Sequence, residues 1–375
     1  MSSTKIPPRT VVALWTKSGG RCEYRGCNEL LWQDKISMRE VNGGLVAHVV
    51  ADSPDGPRGD AIRSPQIAKA LENLMLMCHP HHHLIDHEGL ADHPEHVLLE
   101  MKREHEMRIA HATSIGPELA THVVVFRTPI GDERLSNDTG AMRRAVIAAG
   151  RYPLRDEISL DLTLVPATER RVDFWESSRR ELDDFYAQQM QWRLAKSEPH
   201  LSVFALAPIP LLMAFGKLLG DKTPALVFQR FRDPPGWTWP TEAPALTFDV
   251  SAERAPGRAT DVILLLSVSD TVQRPDVIHA LPSGAPVYEL RIAEPRRDCV
   301  RNAEDVAAFR AAWQLLLNRV RDWYQEDAPR LHIVPALPNS LAVELGRSVL
   351  QKAHSRLSIY DLNHNLGGLQ YAFDL

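Results

Sequence analysis

Two stretches of this sequence, LSVFALAPIPLLMAFGKLLGDK from Leu201 and LHIVPALPNSLAVELGRSVLQK from Leu331, align over 22 positions without a gap. Leu201 and Leu331, Pro208 and Pro338, Leu211 and Leu341, Gly216 and Gly346, and Lys222 and Lys352 are identical pairs. In each copy an apolar run of strand type passes through a Pro-containing turn into a helical pattern. Five identities alone are within reach of chance. The matched order of elements around them reads as an internal duplication.

The flanking sequence repeats the same alternation. Around the first copy stand HVVVFR, a helix over 139–149, ISLDLTLV, a long helix over about 172–196, LSVFAL, a helix over 210–220 and ALVFQRF. Around the second stand DVILLLSV, PVYELRI, a long helix over about 303–326, LHIVPAL, a helix over 340–352 and RLSIYDL. Strands alternating with helices imply βαβ units and a parallel sheet with helices on its faces. Residues 121–375 therefore read as one domain of two Rossmann-like halves, about 121–250 and 251–375. No Gly-x-Gly-x-x-Gly or Walker pattern occurs in either half, which argues against a dinucleotide cofactor or NTP hydrolysis.

At 375 residues the chain has room for two or three domains. Its 44% hydrophobic and 24% charged residues are those of an ordinary globular protein. No apolar run reaches the ~20 residues of a membrane span, and MSSTKIPPRTVVALW lacks a signal-peptide core, so the expected location is cytoplasmic. A formal net charge of −5 argues against a broadly basic nucleic-acid binder. Even residues 1–111 carry 13 Lys and Arg against 15 Asp and Glu, so any nucleic-acid contact must be local.

Ten of the 16 histidines lie in residues 1–111, as do three of the four cysteines, Cys22, Cys27 and Cys78. They centre on NLMLMCHPHHHLIDHEG, residues 73–89. Around them the reading is a helix over 9–20, the knuckle CEYRGC, a strand in GLVAHVV and a turn-rich loop, ADSPDGPRGD. A helix up to Glu72 then leads to a short apolar stretch. The His cluster opens another helix closed by Gly89, and Asp92 caps a further helix that ends the domain near 111, followed by a linker over 112–120. A structural zinc wants four N or S ligands in a tetrahedron. Cys22 and Cys27 form one close pair, and Cys78 with His81 the other; His79 or His83 can stand in for His81. His82 is left over, with Asp86 four residues on and so on the same helical face. The two either share a hard divalent ion, or Asp86 orients the imidazole. Cys299 reads as a plain free thiol.

A strand-borne His48, then Asn73, then Cys-x2-His-His resembles the HNH endonuclease family. LVAHVVADSPDGPRGD and NLMLMCHPHHHLID resemble its zinc-containing branch over residues 22–86. That resemblance implies a ββα-metal (His-Me finger) domain over 1–111 with a structural zinc on Cys22, Cys27, Cys78 and His81. It also implies a catalytic Mg²⁺ or similar ion on His82 with Asp86, His48 as general base and Asn73 as the residue holding the His48 loop. Two departures stand out. His81 sits where the second Cys of the pair usually sits. Ala47 precedes His48 where many relatives carry a metal ligand, leaving the catalytic ion one protein ligand short.

Behind such a unit, the duplicated domain with VPALPNSLAVELGR resembles the HNH–SAVED fusion effectors of CBASS antiphage defence, in which SAVED is two fused CARF-like Rossmann units. The resemblance implies a cyclic di- or trinucleotide messenger, of cyclic GMP-AMP type first, bound in the SAVED cleft. It implies double-stranded DNA as substrate, and a homo-oligomer that is a dimer at rest and of higher order when liganded. Open parallel sheets bind ligands beyond the carboxyl ends of their strands. The candidates there are Arg230 and Arg232 for phosphate, and Phe231, Trp237 or Trp239 for stacking on a base. Pro338, Asn339, Ser340 and Asp361 take equivalent places in the second half. Core packing is the rival account of the aromatics.

Overall fold

The computed structural model describes residues 4–128, 138–162, 173–194, 200–240, 246–349, 356–363 and 368–375. The chain divides into two compact units, Met1–Gly116 and Pro117–Leu375. The tail of ISLDLTLV beyond residue 162, the ends of the expected long helix at 172 and 195–196, and residues 350–352 of the expected last helix lie outside the described residues.

The first unit opens with α1 (Pro8–Lys17), which stops at Gly19 and Gly20, both in the left-handed region that glycine alone adopts without cost. Strand β1 (Leu45–His48) pairs antiparallel with β2 (Leu74–Met77), His48 opposite Leu74. Between them runs the Pro/Gly loop and one turn of helix, α2 (Arg63–Ile67). The expected helix up to Glu72 is thus much shorter, and the apolar stretch after it is a strand. LMLM is buried at all four positions, so it shows no alternation to mark it as one. Helix α3 (His79–His83) follows, passes into a π-helical turn at Leu84–Glu88, and ends at Gly89. Helix α4 (Glu95–Thr113) starts from Pro94; Asp92, the expected cap, lies in a separate 3-10 turn. A core of Leu14, Cys22, Leu31, Ala47, Leu74, Leu76, Ile85 and Leu98 joins these elements.

In the second unit β3 (Ala120–Arg127) lies parallel to β4 (Tyr152–Pro153) and β5 (Ile158–Asp161) on one side and to β6 (Leu201–Leu206) on the other; β6 is parallel to β7 (Ala225–Phe228). Between these strands come α5 (Thr139–Ala148), capped by the Asp138 carboxylate, then α6 (Phe174–Phe185), α7 (Gln191–Leu194) and α8 (Ile209–Leu219). A small hairpin, β8 (Phe231–Arg232) with β9 (Pro235–Gly236), closes this half. The second half begins with β10 (Asp249–Val250) and continues with β11 (Asp261–Ser267), α9 (Arg274–Val277), β12 (Val287–Arg291) and α10 (Ala303–Trp323). It ends with β13 (Arg330–Ala336), α11 (Asn339–Arg347), β14 (Leu357–Asn363) and β15 (Gly368–Asp374). Its sheet runs β10-β12-β11-β13-β14-β15, with antiparallel strands at both edges.

The four parallel strands of the halves therefore run in the same order, β5-β3-β6-β7 and β12-β11-β13-β14. That is the second, first, third and fourth strand of each copy, the doubly wound arrangement with its switch point between first and third. The duplication seen in the sequence is a duplication of topology. Helices α8 and α11 pack on each other; α8 also reaches β14, and α11 reaches β6 and β7. Both are buried along nearly their whole length, and one apolar core runs through both halves. Gly216 and Gly346 make the crossing possible. A Cβ on Gly216 would lie 2.0 Å from the Val343 carbonyl oxygen, and one on Gly346 would lie 1.9 Å from that of Met213. Each glycine faces the carbonyl three residues before the other. Among the described residues no helix is long and apolar enough to cross a membrane.

Candidate metal centres and sensor cleft

The donor atoms of Cys22, Cys27, Cys78 and His81 all lie within 4.8 Å of one another. His81 Nδ1 is 3.0 Å from the Cys78 Sγ and 3.7 Å from the Cys22 Sγ. The choice between His79, His81 and His83 is made by the start of α3, which turns His81 toward the thiols. His81 is stacked on Tyr24, centroids 4.1 Å apart and rings within 5° of parallel. The Tyr24 hydroxyl is in turn 3.0 Å from His93 Nε2, and His93 Nδ1 donates to the Gly89 carbonyl at 2.6 Å. Burial pushes the Cys22 and Cys78 thiols up, Cys22 furthest. Three neighbouring thiols cannot ionise together without a cation, and a Cys3His set of this span suits tetrahedral Zn²⁺. The cluster can hold a structural zinc. Among the described residues it is the one group of three or more such donors.

Behind it, Glu23 is buried. Its Oε2 accepts from the Leu76 backbone N–H at 2.6 Å, and the buried Lys102 ammonium lies 4.0 Å from Oε1 and 2.5 Å from Glu106. Burial raises the Glu23 carboxyl to about 7, against the pull of Lys102. His105 Nε2 donates to the Ser18 carbonyl at 2.9 Å. KREHE on α4 thus ties that helix to the knuckle and to α1.

His48, Asn73, His82 and Asp86 are carried by the end of β1, the turn before β2, and α3 with its π-helical turn. His48 is buried, and its Nε2 is 2.9 Å from the Ala68 carbonyl. A carbonyl only accepts, so Nε2 carries the hydrogen and the lone pair stands on Nδ1. Asn73 is spent on the residue just past the His48 loop: its Oδ1 accepts from Val50 N at 2.9 Å and its Nδ2 donates to Val50 O at 2.8 Å. His82 is about one-third exposed, with Nε2 4.0 Å from Asp86 Oδ2. Burial lowers its pKa against the opposing pull of Asp86, and His48 is close enough to add to the lowering. A neutral imidazole is the form a metal or a phosphate-bound water can use. The other oxygen of Asp86 accepts from Arg58 at 2.7 Å.

In the second unit, the α11 N-terminus meets the first half. Asn339 Nδ2 donates to Ala205 O at 3.4 Å, and the Ser340 N–H and hydroxyl both donate to Gln229 Oε1, at 3.2 and 2.8 Å. Pro338 is buried just before them. Trp237 stands edge-on to Phe204, and Trp239 stacks on Phe228 beside the buried Phe231. Arg230 lies over the Trp237 ring, 5.7 Å from its centroid, while Arg232 is exposed on the hairpin. Asp361 sits on β14 opposite Gln370. Cys299 is buried, its thiol raised to about 11 by burial. Sequence reasoning missed Gln229 and Arg347. Arg347 donates to Gly220 O, Thr223 O and Ala225 O along the connection from α8 to β7, and Glu344 bridges it to Arg310. Their one signal was the position of Arg347 in VELGR. Arg58 lay in a stretch read for its turns and for the family likeness, with no role given to the residue itself.

A doubled, doubly wound α/β unit whose copies share one helical core thus follows a ββα head carrying a Cys3His centre. Residues 182–375, more than half of the chain, match the family model described as "SMODS-associated and fused to various effectors sensor domain", SAVED. The chain belongs to the SAVED family. Among solved structures it is similar to the Acinetobacter baumannii Cap4 SAVED/CARF-domain containing receptor with the cyclic trinucleotide 3'3'3'-cAAA, at 12% identity and TM-score 0.42, over 75% of this chain and 62% of that one. The same receptor with 2'3'3'-cAAA matches at 11% identity and TM-score 0.43, over 75% and 59%. The Moraxella osloensis Cap4 receptor matches at 11% and 0.40, over 75% and 60%. The chain spans about three-fifths of the length of these structures. No curated protein matches the sequence.

Proposed function

We propose that this chain is a cyclic-oligonucleotide-activated, metal-dependent DNA endonuclease of CBASS type, with a SAVED sensor and an HNH head. The observation that carries the reading is the His48 imidazole, its Nε2–H committed to Ala68 and its Nδ1 lone pair left as a base, in the same small ββα unit as His82. His48 Nδ1 takes a proton from water as the water oxygen bonds to phosphorus and the bond to the 3′ oxygen breaks. Asn73 fixes the backbone just past His48, and with it the reach of that base. His82 and the free edge of Asp86 would hold a divalent ion. Such an ion would polarise the phosphate and stabilise the departing 3′ oxygen. Binding of a cyclic di- or trinucleotide beyond the strand ends of the SAVED unit promotes assembly, and assembly activates the head.

The test is plasmid DNA incubated with full-length protein, Mg²⁺ and a panel of cyclic di- and trinucleotides. Cleavage is expected with one of them, and His48→Ala is expected to lower it by about 10²- to 10⁴-fold. One observation favours a non-catalytic sensor instead: Ala47 offers no ligand and one oxygen of Asp86 is taken by Arg58. Nucleotide binding with no DNA cleavage under any metal would establish that alternative.

A further inference from the structure

The loop between β1 and α2 does more than turn the chain. Ala51 N donates to Pro57 O at 3.1 Å, and a Cβ on Gly59 would lie 2.3 Å from Pro54 O, so the loop is folded tightly on itself. It holds Arg58 at φ +56°, a left-handed conformation that strains a side-chain-bearing residue and persists where its surroundings impose it. The guanidinium is buried. Its Nε donates to Val49 O at 2.5 Å, Nη1 to Ile85 O at 2.7 Å, and Nη2 to Asp86 Oδ1 at 2.7 Å and His48 O at 3.4 Å. Two of these acceptors belong to the segment carrying His48 and two to the π-helical turn after His82. One planar fork spans both pieces of the centre.

We infer that Arg58 is a positioning residue of the nuclease centre: it sets the separation of His48 from the His82–Asp86 pair and turns the second oxygen of Asp86 toward His82. The inference rests on the nuclease reading. Lysine keeps the charge but presents a single nitrogen, so it cannot hold four acceptors in two directions. The guanidinium takes Oδ1 of Asp86 and leaves Oδ2 on the side of His82, where the two would share the ion.

The experiment compares full-length wild type, Arg58→Ala, Arg58→Lys and a surface control, Arg63→Ala, whose residue pairs with Glu95 on the exterior. Four quantities are read: kcat and KM for activator-stimulated plasmid cleavage, Mn²⁺ binding by electron paramagnetic resonance, zinc content, and Tm. Arg58→Ala is expected to lose about 10- to 100-fold in kcat and in Mn²⁺ affinity, with KM for DNA and zinc content unchanged. Arg58→Lys falls between, and Arg63→Ala matches wild type. Wild-type kcat and Mn²⁺ binding in Arg58→Ala would overturn the inference while leaving the nuclease reading intact. If Arg58→Ala does not fold, Arg58→Lys decides: loss of zinc and Tm in step with activity makes Arg58 a folding residue and overturns it equally. A wild type that neither cuts DNA nor binds Mn²⁺ overturns both.

Discussion

Tyr24 lies flat on His81 and is held there by His93, so one aromatic ring aims the only nitrogen ligand of the thiol cluster. Replacing His81 with Ala, or Cys27 with Ser, is expected to abolish stoichiometric zinc and unfold the first unit. Metal analysis of the purified variants, with circular dichroism, checks this. The Cys-x4-Cys and Cys-x2-His spacings were legible because ligands close in sequence are held together by the chain itself. The sequence reading took His81 from three candidate histidines, and the turn that opens α3 is what brings that one to the thiols. A second residue effect sits in the sensor. His200, bonded through Nδ1 to the Thr121 hydroxyl at 2.9 Å, is lowered to about 4 by burial, helped by Arg151 and Arg347. Its unfolded pKa is near 6.5, so between these values the unfolded chain binds the extra proton. The contribution is complete above about pH 6.5 and is lost as pH falls to 4, an effect of about 2 kcal/mol after allowing for solvent screening. Urea titrations across that window should show stability of the second unit rising with pH, and the slope should flatten in His200→Gln.

The crossing of α8 and α11 is an element-level decision that two glycines carry. Gly216→Ala or Gly346→Ala puts a methyl group against a backbone carbonyl that no rotamer change can move. The expected cost is about 3 kcal/mol, at the upper end for overpacking, read as a lowered urea midpoint. Gly220 is a useful contrast: it has φ +67° but nothing within 4 Å of an added Cβ. Gly220→Ala should therefore cost only the backbone strain of φ +67° with ψ 179°, a region that essentially glycine alone adopts, about 1–3 kcal/mol. Aligning the two repeats matches Gly216 with Gly346. That each faces the helix bearing the other is a contact between copies, and similarity within a sequence does not contain it. The same limit explains β2. Four buried apolar residues in a row carry neither a twofold nor a 3.6-residue period, so pairing with β1 alone made them a strand.

At the scale of the whole chain, two units with separate cores imply two melting events. Adding a strong zinc chelator is expected to lower or erase one calorimetric transition and leave the other in place; a single transition that shifts as a whole would contradict this. Much of the plan is legible in the amino-acid order. The strand-helix alternation, the duplicated stretch and the clustered Cys and His residues are local or periodic signals, and βαβ units have few ways to pack. The sequence by itself thus determined a doubled parallel α/β unit that follows a segment of clustered Cys and His residues. Tertiary structure alone decided that α8 and α11 share one core, that Gln229 and Arg347 join the halves, and that Arg58 reaches both His48 and Asp86. The hydrogen-bonded pairs among these lie from 10 to 127 residues apart. Their contacts follow from how separate elements close on one another, which no residue spacing encodes.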